Sequence, residues 1–307
     1  MSLDRFMKKK RPSLVVEDMS NLMYRTVFTA HKGDPLDKNY TLWKYMMVER
    51  LLSDLLFFKA DRCIIAMDDR DYWRKDIYAD YKNKRKSNRQ KSTVDFDEFF
   101  KVAFPFIDVL QTIFPNIMFL KVNKCEADDI IAVLTKQRWK DYNVMCISND
   151  SDLKQLYKFK HYKQYDPIHM KIYQPINSEQ DLLVKILTGD TVDDIPNVAP
   201  LTGPVKALKM INEGLDSVFK KGVNIKLKGV STHIEGRDIK SNFKRNKQLI
   251  DLELVPQNYQ KKILEVYDTC VINKYNGRKT FNFLIKHRMK GLIEDLEIYS
   301  KTLVNLS

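Results

Sequence analysis

Acidic residues stand directly after four apolar stretches of this sequence, and their types and spacing could do chemistry. In two places a pair of carboxylates is separated by one residue. The residues concerned are Asp18, Asp68, the pair Glu126 and Asp128, and the pair Asp150 and Asp152. Carboxylates that converge in one cleft repel one another and take up protons unless cations hold them. Since no His or Cys shows metal-ligand spacing, such oxygen ligands favour Mg²⁺ or Mn²⁺.

Each of these residues taken alone has a more ordinary interpretation. A single Asp after a strand is usually a turn former or a helix N-cap, and Asp18 by itself could be explained in that way. Four strand ends that carry the same residue type are harder to attribute to capping. We therefore favour a metal site, and we interpret the adjacent Asp69 and Asp129 as caps or as residues that support the ligands.

The apolar stretches before the carboxylates predict the framework that must position them. SLVVED, RCIIAMD, NIMFLKV and NVMCIS have the density of apolar residues that is typical of buried strands, and helical patterns separate them. This alternation predicts an α/β fold with a mostly parallel central sheet flanked by helices. Such sheets bind ligands at the carboxyl ends of their strands, where these acidic residues would lie.

Composition limits the classes of function. The 307 residues include 53 Lys plus Arg and 40 Asp plus Glu, and the formal charge of +13 indicates a polyanionic partner. With 44% hydrophobic residues and only 9 Gly and 10 Pro, the chain is globular rather than disordered. No run approaches the roughly 20 apolar residues of a membrane span. The four dispersed cysteines suit a reducing cytoplasm, so we expect a cytoplasmic protein that binds no membrane.

A basic segment follows the second acidic site. Between Arg70 and Lys91 lie nine Lys or Arg and three Asp, interleaved with three Tyr and one Trp. A charge run of this kind is usually a solvated face. The aromatic residues favour a nucleic-acid interface instead, because bases stack on aromatic rings while cations follow the phosphates of a single strand.

Five segments occur in the order LVVEDMSNLMYR, YWRKDIYADYKNKRK, CEADDIIAVL, ISNDSDLKQL and TGDTVDDIPNVAPLTGPVKAL. Together they resemble the flap endonuclease and 5′-exonuclease superfamily, most closely T-even phage ribonuclease H and related phage 5′ nucleases. The resemblance spans about Leu14 to Pro256. It implies a PIN-like nuclease core over residues 1–180 with a helical arch at about 70–106, and a mainly helical DNA-binding region over 181–307 with a helix-3-turn-helix at about 186–215.

The resemblance assigns the carboxylates to two divalent metal sites that hold Mg²⁺ or Mn²⁺. Carried over by motif, the first site consists of Asp18, Asp68, Glu126 and Asp128, and the second consists of Asp150, Asp152 and Asp193. Asp193 comes from the family pattern GDxxD, which stands here as GDTVD. Two metals suit phosphodiester hydrolysis, because one can activate water while the other stabilises the leaving oxygen.

The same resemblance assigns contacts with phosphate. In the family's YKxxR pattern the Lys and Arg stabilise charge that develops on the scissile phosphate. The residues that match this pattern are Tyr81, Lys82 and Arg85, and the further nucleic-acid contacts implied are Arg25, Arg74 and Lys75.

The segment IPNVAPLTGPVKA is typical of helix, turn and helix. It resembles the helix-3-turn-helix, whose glycine-rich turn contacts duplex phosphates and holds a monovalent cation. Gly203 and Lys206 would make these duplex contacts here. Because Asn197 and Pro200 stand where the family has glycines, we expect a reduced or altered K⁺ site. A Pro/Gly turn between helices is also ordinary architecture.

The sequence and the resemblance together predict a Mg²⁺-dependent 5′ nuclease that acts in replication or repair. The implied substrates are 5′ flaps, nicked or gapped duplexes, single-stranded 5′ ends and RNA:DNA hybrids. A single-stranded-DNA-binding protein and a sliding clamp are the implied protein partners. We expect a monomeric phage protein that acts in the host cytoplasm.

Two alternatives compete with this prediction. A PIN-like ribonuclease would use the same acidic cluster on single-stranded RNA, but the arch motif and GDxxD argue against it. A catalytically silent scaffold could recognise branched DNA, but such a protein would have no use for seven carboxylates that face a phosphate.

Overall fold

A six-stranded sheet forms the centre of the computed structural model, which describes residues 11–32, 36–227 and 230–306. Its strands are β1 (Ser13–Asp18), β2 (Arg62–Met67), β3 (Met118–Lys121), β4 (Asn143–Ile147), β5 (Tyr162–Asp166) and β6 (Lys171–Ile172). They lie in the order β3-β2-β1-β4-β5-β6, and every neighbouring pair is parallel except β5 and β6. The prediction of a mostly parallel sheet is confirmed.

The register of the parallel strands brings their acidic ends to one edge of the sheet. Asp18 of β1 pairs with Ala66 of β2, and Glu17 pairs with Ile147 of β4. Asp68 and Asp150 follow within three residues of these pairs, so the three chain segments leave the sheet side by side.

Helices follow the strands and cover both faces of the sheet. They are α1 (Met19–Ala30), α2 (Thr41–Phe57), α3 (Arg74–Ile77), α4 (Arg85–Gln90), α5 (Phe96–Ile113), α6 (Ala127–Gln137), α7 (Ser178–Thr188), α8 (Pro204–Asn212), α9 (Leu215–Lys221), α10 (Gly236–Ile250), α11 (Gln257–Thr269), α12 (Gly277–Lys286), α13 (Lys290–Glu294) and α14 (Leu296–Asn305). Asp152–Lys158 and Leu252–Leu254 are 3-10 helices, and β7 (Val223–Leu227) with β8 (Val230–Ile234) forms an antiparallel hairpin.

Successive side chains of the strands pack alternately into two separate apolar cores. Val15 and Ile65 belong to one core, with α1, α2, α5 and the helices α12 to α14. Val16 and Ile64 belong to the other, with α6 and α11. Successive side chains of a strand point to opposite faces, so the sheet is buried on both sides, as a parallel sheet requires.

The predicted arch contains α3, α4 and the first part of α5. α5 continues past residue 106 to Ile113, and its apolar side packs into the first core. The ring of Phe99 lies 4.8 Å from that of Trp43 on α2, with both side chains fully buried. The C-terminal half of this segment is therefore part of the core rather than a free-standing arch.

A smaller core connects α7, α8, α9, the β7–β8 hairpin and α10. It includes Leu187, Val198, Ala207 and Ile239. The last helices, from α11 onward, pack on the two large cores instead. A domain boundary near residue 180 stays a prediction. Within the described part of the chain, no helix combines the length and apolarity that crossing a membrane would demand.

Candidate metal centre and nucleic-acid interface

The carboxyl ends of β1, β2 and β4 open into a cleft of about 430 Å³. Its acidic lining residues are Asp18, Asp68, Glu126, Asp128 and Asp150. Lys82 and Arg85 of the arch segment line the same cleft. The fold thus brings together all four residues predicted for the first metal site and one predicted for the second.

Asp18 is both the last residue of β1 and the N-cap of α1. It accepts hydrogen bonds from the backbone N–H of Asn21 at 3.0 Å and from Ser148 Oγ at 3.2 Å. Burial and the nearby charge of Asp68 nevertheless raise the pKa of Asp18 to about 7. Capping of α1 therefore does not account for the raised pKa of this carboxyl group. A bound cation would favour its ionised form, which burial disfavours.

Asp68 is held between the first turns of two helices. Ser20 Oγ of α1 donates a hydrogen bond to Asp68 Oδ2 at 2.5 Å, and the N–H of Ala127, at the start of α6, donates to Oδ1 at 2.8 Å. Helix N-termini carry a partial positive charge that stabilises carboxylates. These bonds fix the Asp68 side chain between Asp18 and the acidic start of α6.

The start of α6 carries three carboxylates in different surroundings. Arg74 donates to both oxygens of Asp129, at 3.0 and 2.8 Å, and to Glu126 Oε2 at 2.7 Å. Asp129 also accepts a hydrogen bond from the backbone N–H of Glu126 at 3.0 Å. Asp129 is thus a buried partner of Arg74 that supports the site, whereas Asp128 lines the cleft.

The acidities of Glu126 and Asp128 are shifted in opposite directions. Burial raises the pKa of Asp128 well above its ordinary value, although Arg74 opposes the shift. Burial acts in the same direction on Glu126, but Lys82 and Arg74 together outweigh it and hold its pKa below the usual range. Glu126 is therefore neutralised from within the protein, and Asp128 is not.

A second carboxylate group lies at the end of α7. Asp152, Asp190 and Asp193 can each place one oxygen within 4.8 Å of the other two. Lys185 pairs with Asp152 and, at 2.8 Å, with Asp190. Burial and the charge of Asp150 raise the pKa of Asp152 to about 6, against the effect of Lys185. These oxygens also suit a hard divalent cation.

The GDxxD segment places two of these residues by its local geometry. Asp190 and Ile195 exchange both backbone hydrogen bonds, at 2.8 and 2.7 Å. Gly189 has φ +68°, and a Cβ atom there would lie 2.3 Å from the Ile195 carbonyl oxygen, so the turn requires glycine. Motif matching assigns only Asp193; the structure adds Asp190, whose own place in GDxxD is the signal that could have found it.

Residues of the YKNKR segment join the two carboxylate groups. The Tyr81 hydroxyl contacts Glu126 at 2.9 Å and Asp193 at 3.2 Å. Lys82 pairs with Glu126 and, at 3.5 Å, with Asp193, while Arg85 donates to Asp193 at 2.8 Å. Burial tends to raise the pKa of Asp193, but Lys82 and Arg85 hold it below its ordinary value.

Two predicted nucleic-acid contacts need correction. Arg74 is 1% exposed, and its remaining Nε–H donates to the Leu249 carbonyl at 2.8 Å. Tyr81 is 2% exposed and points at two carboxylates. Neither side chain can reach a phosphate in this arrangement. Both instead hold the carboxylates in place, a role that the local sequence pattern does not distinguish from phosphate binding.

Arg25 lies outside the carboxylate cleft. Its guanidinium pairs with Glu17 at 3.2 Å and with Asp54 at 3.0 Å, and it lines an adjoining cavity of about 760 Å³. This position differs from the expected one facing the scissile phosphate, because the buried Glu17 attracts the arginine.

Three further predicted nucleic-acid contacts are accessible. Lys75 and Gly203 are exposed, and Lys206 is half-buried. A Cβ atom at Gly203 would meet nothing within 4 Å, so a ligand could approach this backbone closely. Their contact with nucleic acid stays a prediction.

Aromatic residues form part of the cleft that motif matching does not assign. Tyr24 and Phe28 of α1 and Phe96 of α5 line it. The rings of Tyr24 and Phe28 stack at 6.4 Å with an interplanar angle of 22°. Their i, i+4 spacing predicts a shared helix face, but a shared face does not distinguish a core contact from a cleft wall.

The distribution of ion pairs supports a metal centre. Glu126, Asp129 and the second carboxylate group have Arg or Lys partners within the protein. Four cleft carboxylates have no ion pair with any residue that the structure describes: Asp18, Asp68, Asp128 and Asp150. Several unneutralised carboxylates of one cleft fit divalent cations, and no His or Cys lines this cleft to favour a softer metal.

Comparisons with known proteins find relatives of this chain. A family model described as the 5′-3′ exonuclease, N-terminal resolvase-like domain, matches residues 13–189. Ribonuclease H of Enterobacteria phage T4 is 31% identical over 235 residues, which cover 73% of this chain and 74% of that protein. A 5′-3′ exonuclease of Mycoplasmopsis pulmonis is 24% identical over 305 residues, or 93% of this chain and 97% of that protein.

A solved structure shows the same fold. It is the flap endonuclease of bacteriophage T5 in a pseudo-enzyme–product complex with DNA and metal ions, with a TM-score of 0.65 and 20% sequence identity. The alignment covers 84% of this chain and all of the T5 chain.

We predict that divalent cations bind more tightly as the pH rises from about 5 to 8. The raised pKa values of Asp18, about 7, and Asp152, about 6, mean that both carboxyls bind protons at the low end of this range and must lose them to ligate a metal. The same shifts stabilise the metal-free fold fully only below the ordinary pKa of Asp, and this contribution is lost as the pH rises to about 6 for Asp152 and to about 7 for Asp18. Calorimetric titration with Mn²⁺ in buffers of different ionisation heat should show proton release near pH 6. Equal affinity across the range would contradict the prediction.

We also predict that Arg74→Gln destabilises the metal-free protein by about 3–5 kcal/mol, because it leaves Glu126 and Asp129 without their buried partner. Mn²⁺ should stabilise this variant more than the wild type, since the start of α6 then carries more uncompensated charge. Urea unfolding with and without Mn²⁺ measures both effects.

The matched control for this prediction is Lys75→Gln, which changes the exposed neighbour of Arg74 and should alter stability by less than about 0.5 kcal/mol. If Arg74 contacted nucleic acid instead of the carboxylates, both variants would be as stable as the wild type.

Proposed function

The chain belongs to the family of 5′-3′ exonucleases that have the N-terminal resolvase-like domain, and it is a nuclease. On this basis we propose that it cleaves phosphodiesters near 5′ ends and at junctions of single and double strand. One observation carries the proposal. Strand ends that are distant in sequence converge on one cleft, which Lys82 and Arg85 also line. Its carboxylates Asp18, Asp68, Asp128 and Asp150 form no ion pair with any residue in the described ranges.

We propose that two Mg²⁺ or Mn²⁺ ions bind at this edge of the sheet. The first set of ligands is Asp18, Asp68, Glu126 and Asp128, and the second is Asp150, Asp152, Asp190 and Asp193. Bound there, divalent cations would lower the pKa of an attacking water and stabilise the leaving oxygen. The protein contributes a rigid set of oxygens, because hydrogen bonds from Asn21, Ser20 and Ala127 already orient the carboxylates.

Lys82 and Arg85 are the groups proposed to act on the scissile phosphate. Both line the cleft and carry charges that their carboxylate partners stabilise, since the pKa of Lys82 is well above its ordinary value owing to Glu126, against the effect of burial. Arg85 remains 37% exposed at its side chain, so it can turn from Asp193 toward a phosphate. A fixed cation beside the reacting phosphate stabilises the charge that develops during cleavage.

The proposed substrates are branched or interrupted duplexes. The name of the phage T4 relative adds RNA:DNA hybrids, and the T5 structure contains DNA. Lys75 and the cleft aromatics would contact the single strand, and Gly203 with Lys206 would contact the duplex. Residues 1–180 would then form the catalytic part, with the arch at 70–106, and residues 181–307 would contain the duplex-binding part.

Backbone carbonyl groups of the turn after α7 accept hydrogen bonds from side chains of the protein. Asn197 donates to the Thr202 carbonyl at 2.7 Å, and Asn242 donates to the Val198 carbonyl at 3.0 Å. Each of these carbonyl groups thus has one of its two lone pairs already engaged within the protein. We therefore propose that K⁺ contributes little here.

An end-labelled 5′-flap duplex, incubated with the protein and Mg²⁺ and mapped at nucleotide resolution, tests the proposed function. We expect cleavage near the junction, products with 5′ phosphates and complete loss of cleavage with EDTA. Strong dependence on salt should accompany binding, because phosphate contacts release counter-ions. An intact flap, or cleavage that EDTA does not affect, would contradict the proposal.

Substitutions separate catalysis from binding. Asp152→Asn should slow single-turnover cleavage by roughly 100-fold or more while DNA binding survives, and Lys82→Ala should lower the cleavage rate more than the affinity. Lys84→Ala is the matched control, because Lys84 is 76% exposed and pairs with Asp194 rather than with the cleft carboxylates. If Lys82→Ala weakened DNA binding without slowing the bound complex, Lys82 would be a binding residue only.

A further inference from the structure

A groove on the far part of α5 has a chemistry that the nuclease site does not use. It has a volume of about 490 Å³ and lies between α5 and α12. α5 contributes an apolar row, Val102, Pro105, Phe106, Val109 and Ile113, and α12 contributes Phe283. Val109 is 41% exposed, so part of this row faces solvent.

Cations surround this apolar row. Lys44, Lys279 and Lys286 line the groove together with His287. A second cavity of about 360 Å³ shares Lys44, Lys286 and His287 with the groove and adds Arg288. The two cavities therefore form one continuous surface, apolar between the helices and basic at its end.

These cations lack acidic partners. Neither cavity is lined by an Asp or Glu, and none of the four Lys and Arg residues forms an ion pair with a residue in the described ranges. Burial lowers the pKa of His287, and the charges of Lys44 and Lys286 lower it further. Burial also lowers the pKa of Lys44, although Asp37 opposes the shift. The cluster is thus repulsive by itself and complementary to an anion.

We infer that this groove binds an acidic peptide segment of a partner protein, with apolar side chains that enter the space between α5 and α12 and carboxylates that pair with Lys44, Lys286 and Arg288. The apolar row favours a peptide over a nucleic acid as the molecule bound in this groove. Val102, Pro105, Val109 and Ile113 offer no flat ring on which a base could stack, and the rings of Phe106 and Phe283 are buried against each other and His287. The phosphates of a nucleic acid could pair with the cations, but the apolar surface would remain exposed to water.

The position of the groove would keep a bound partner beside the nuclease site without covering it. Phe96, at the start of α5, lines the carboxylate cleft, whereas the groove begins at Val102, about 9 Å further along the helix axis. α12 lies outside residues 13–189, which match the family model. This surface therefore combines a helix of the nuclease core with a helix of the C-terminal part of the chain.

Fluorescence anisotropy with a labelled peptide in which aspartates alternate with phenylalanines tests the inference on the full chain. We expect saturable binding that weakens with salt and decreases at least about tenfold in Lys44→Glu/Lys286→Glu and in Val109→Glu. The matched control is Lys290→Glu, which changes an 89% exposed lysine outside the groove and should alter the affinity less than about twofold. Circular dichroism checks that each variant is folded.

Three results would overturn the inference. In the first, the groove variants bind the peptide as well as Lys290→Glu does. In the second, a peptide with serine in place of phenylalanine binds as well as the original peptide, which would leave only general electrostatic attraction. The groove variants could also lose affinity for a labelled single-stranded oligonucleotide while retaining the peptide, which would assign the surface to nucleic acid. None of these measurements depends on cleavage, so failure here is distinguishable from failure of the proposed function.

Discussion

Repulsion between buried carboxylates is the constraint on which the rest of this structure depends. Two unit charges 4 Å apart interact by about 4 kcal/mol at the effective dielectric near a protein surface, which is a large fraction of the stability of a typical domain. The fold answers this repulsion in two ways. Arg74, Lys82, Arg85 and Lys185 neutralise part of the cluster from within. The carboxylates at the ends of β1, β2 and β4 have no such partner among the described residues, and we propose that divalent cations balance their charge.

The internal cations also connect parts of the chain that fold from distant segments. Arg74 binds the start of α6 with its guanidinium and donates to the carbonyl of Leu249 at the end of α10. Lys82 and Tyr81 connect Glu126 with Asp193, which follows α7. Residues 74–82 are thereby bonded to the start of α6, to the segment after α7 and to the end of α10.

Sequence patterns predict the sheet and its acidic edge well, because the period of apolar residues and the position of Asp18 and Asp68 at strand ends are local properties. They do not predict which cations face inward. Arg74 and Lys75 are neighbours in one basic run, yet only the fold decides that Arg74 reaches Asp129 while Lys75 remains exposed. The contacts of Arg25 with Glu17 and Asp54, and the groove between α5 and α12, depend on tertiary packing in the same way.

We propose that this acidic edge holds two divalent cations. Anomalous diffraction from crystals grown with Mn²⁺ tests it most directly. We expect two peaks. One should lie among Asp18, Asp68, Glu126 and Asp128, and the other among Asp150, Asp152, Asp190 and Asp193. Diffraction that shows no peak in the cleft, with Mn²⁺ bound only at surface carboxylates, would contradict it.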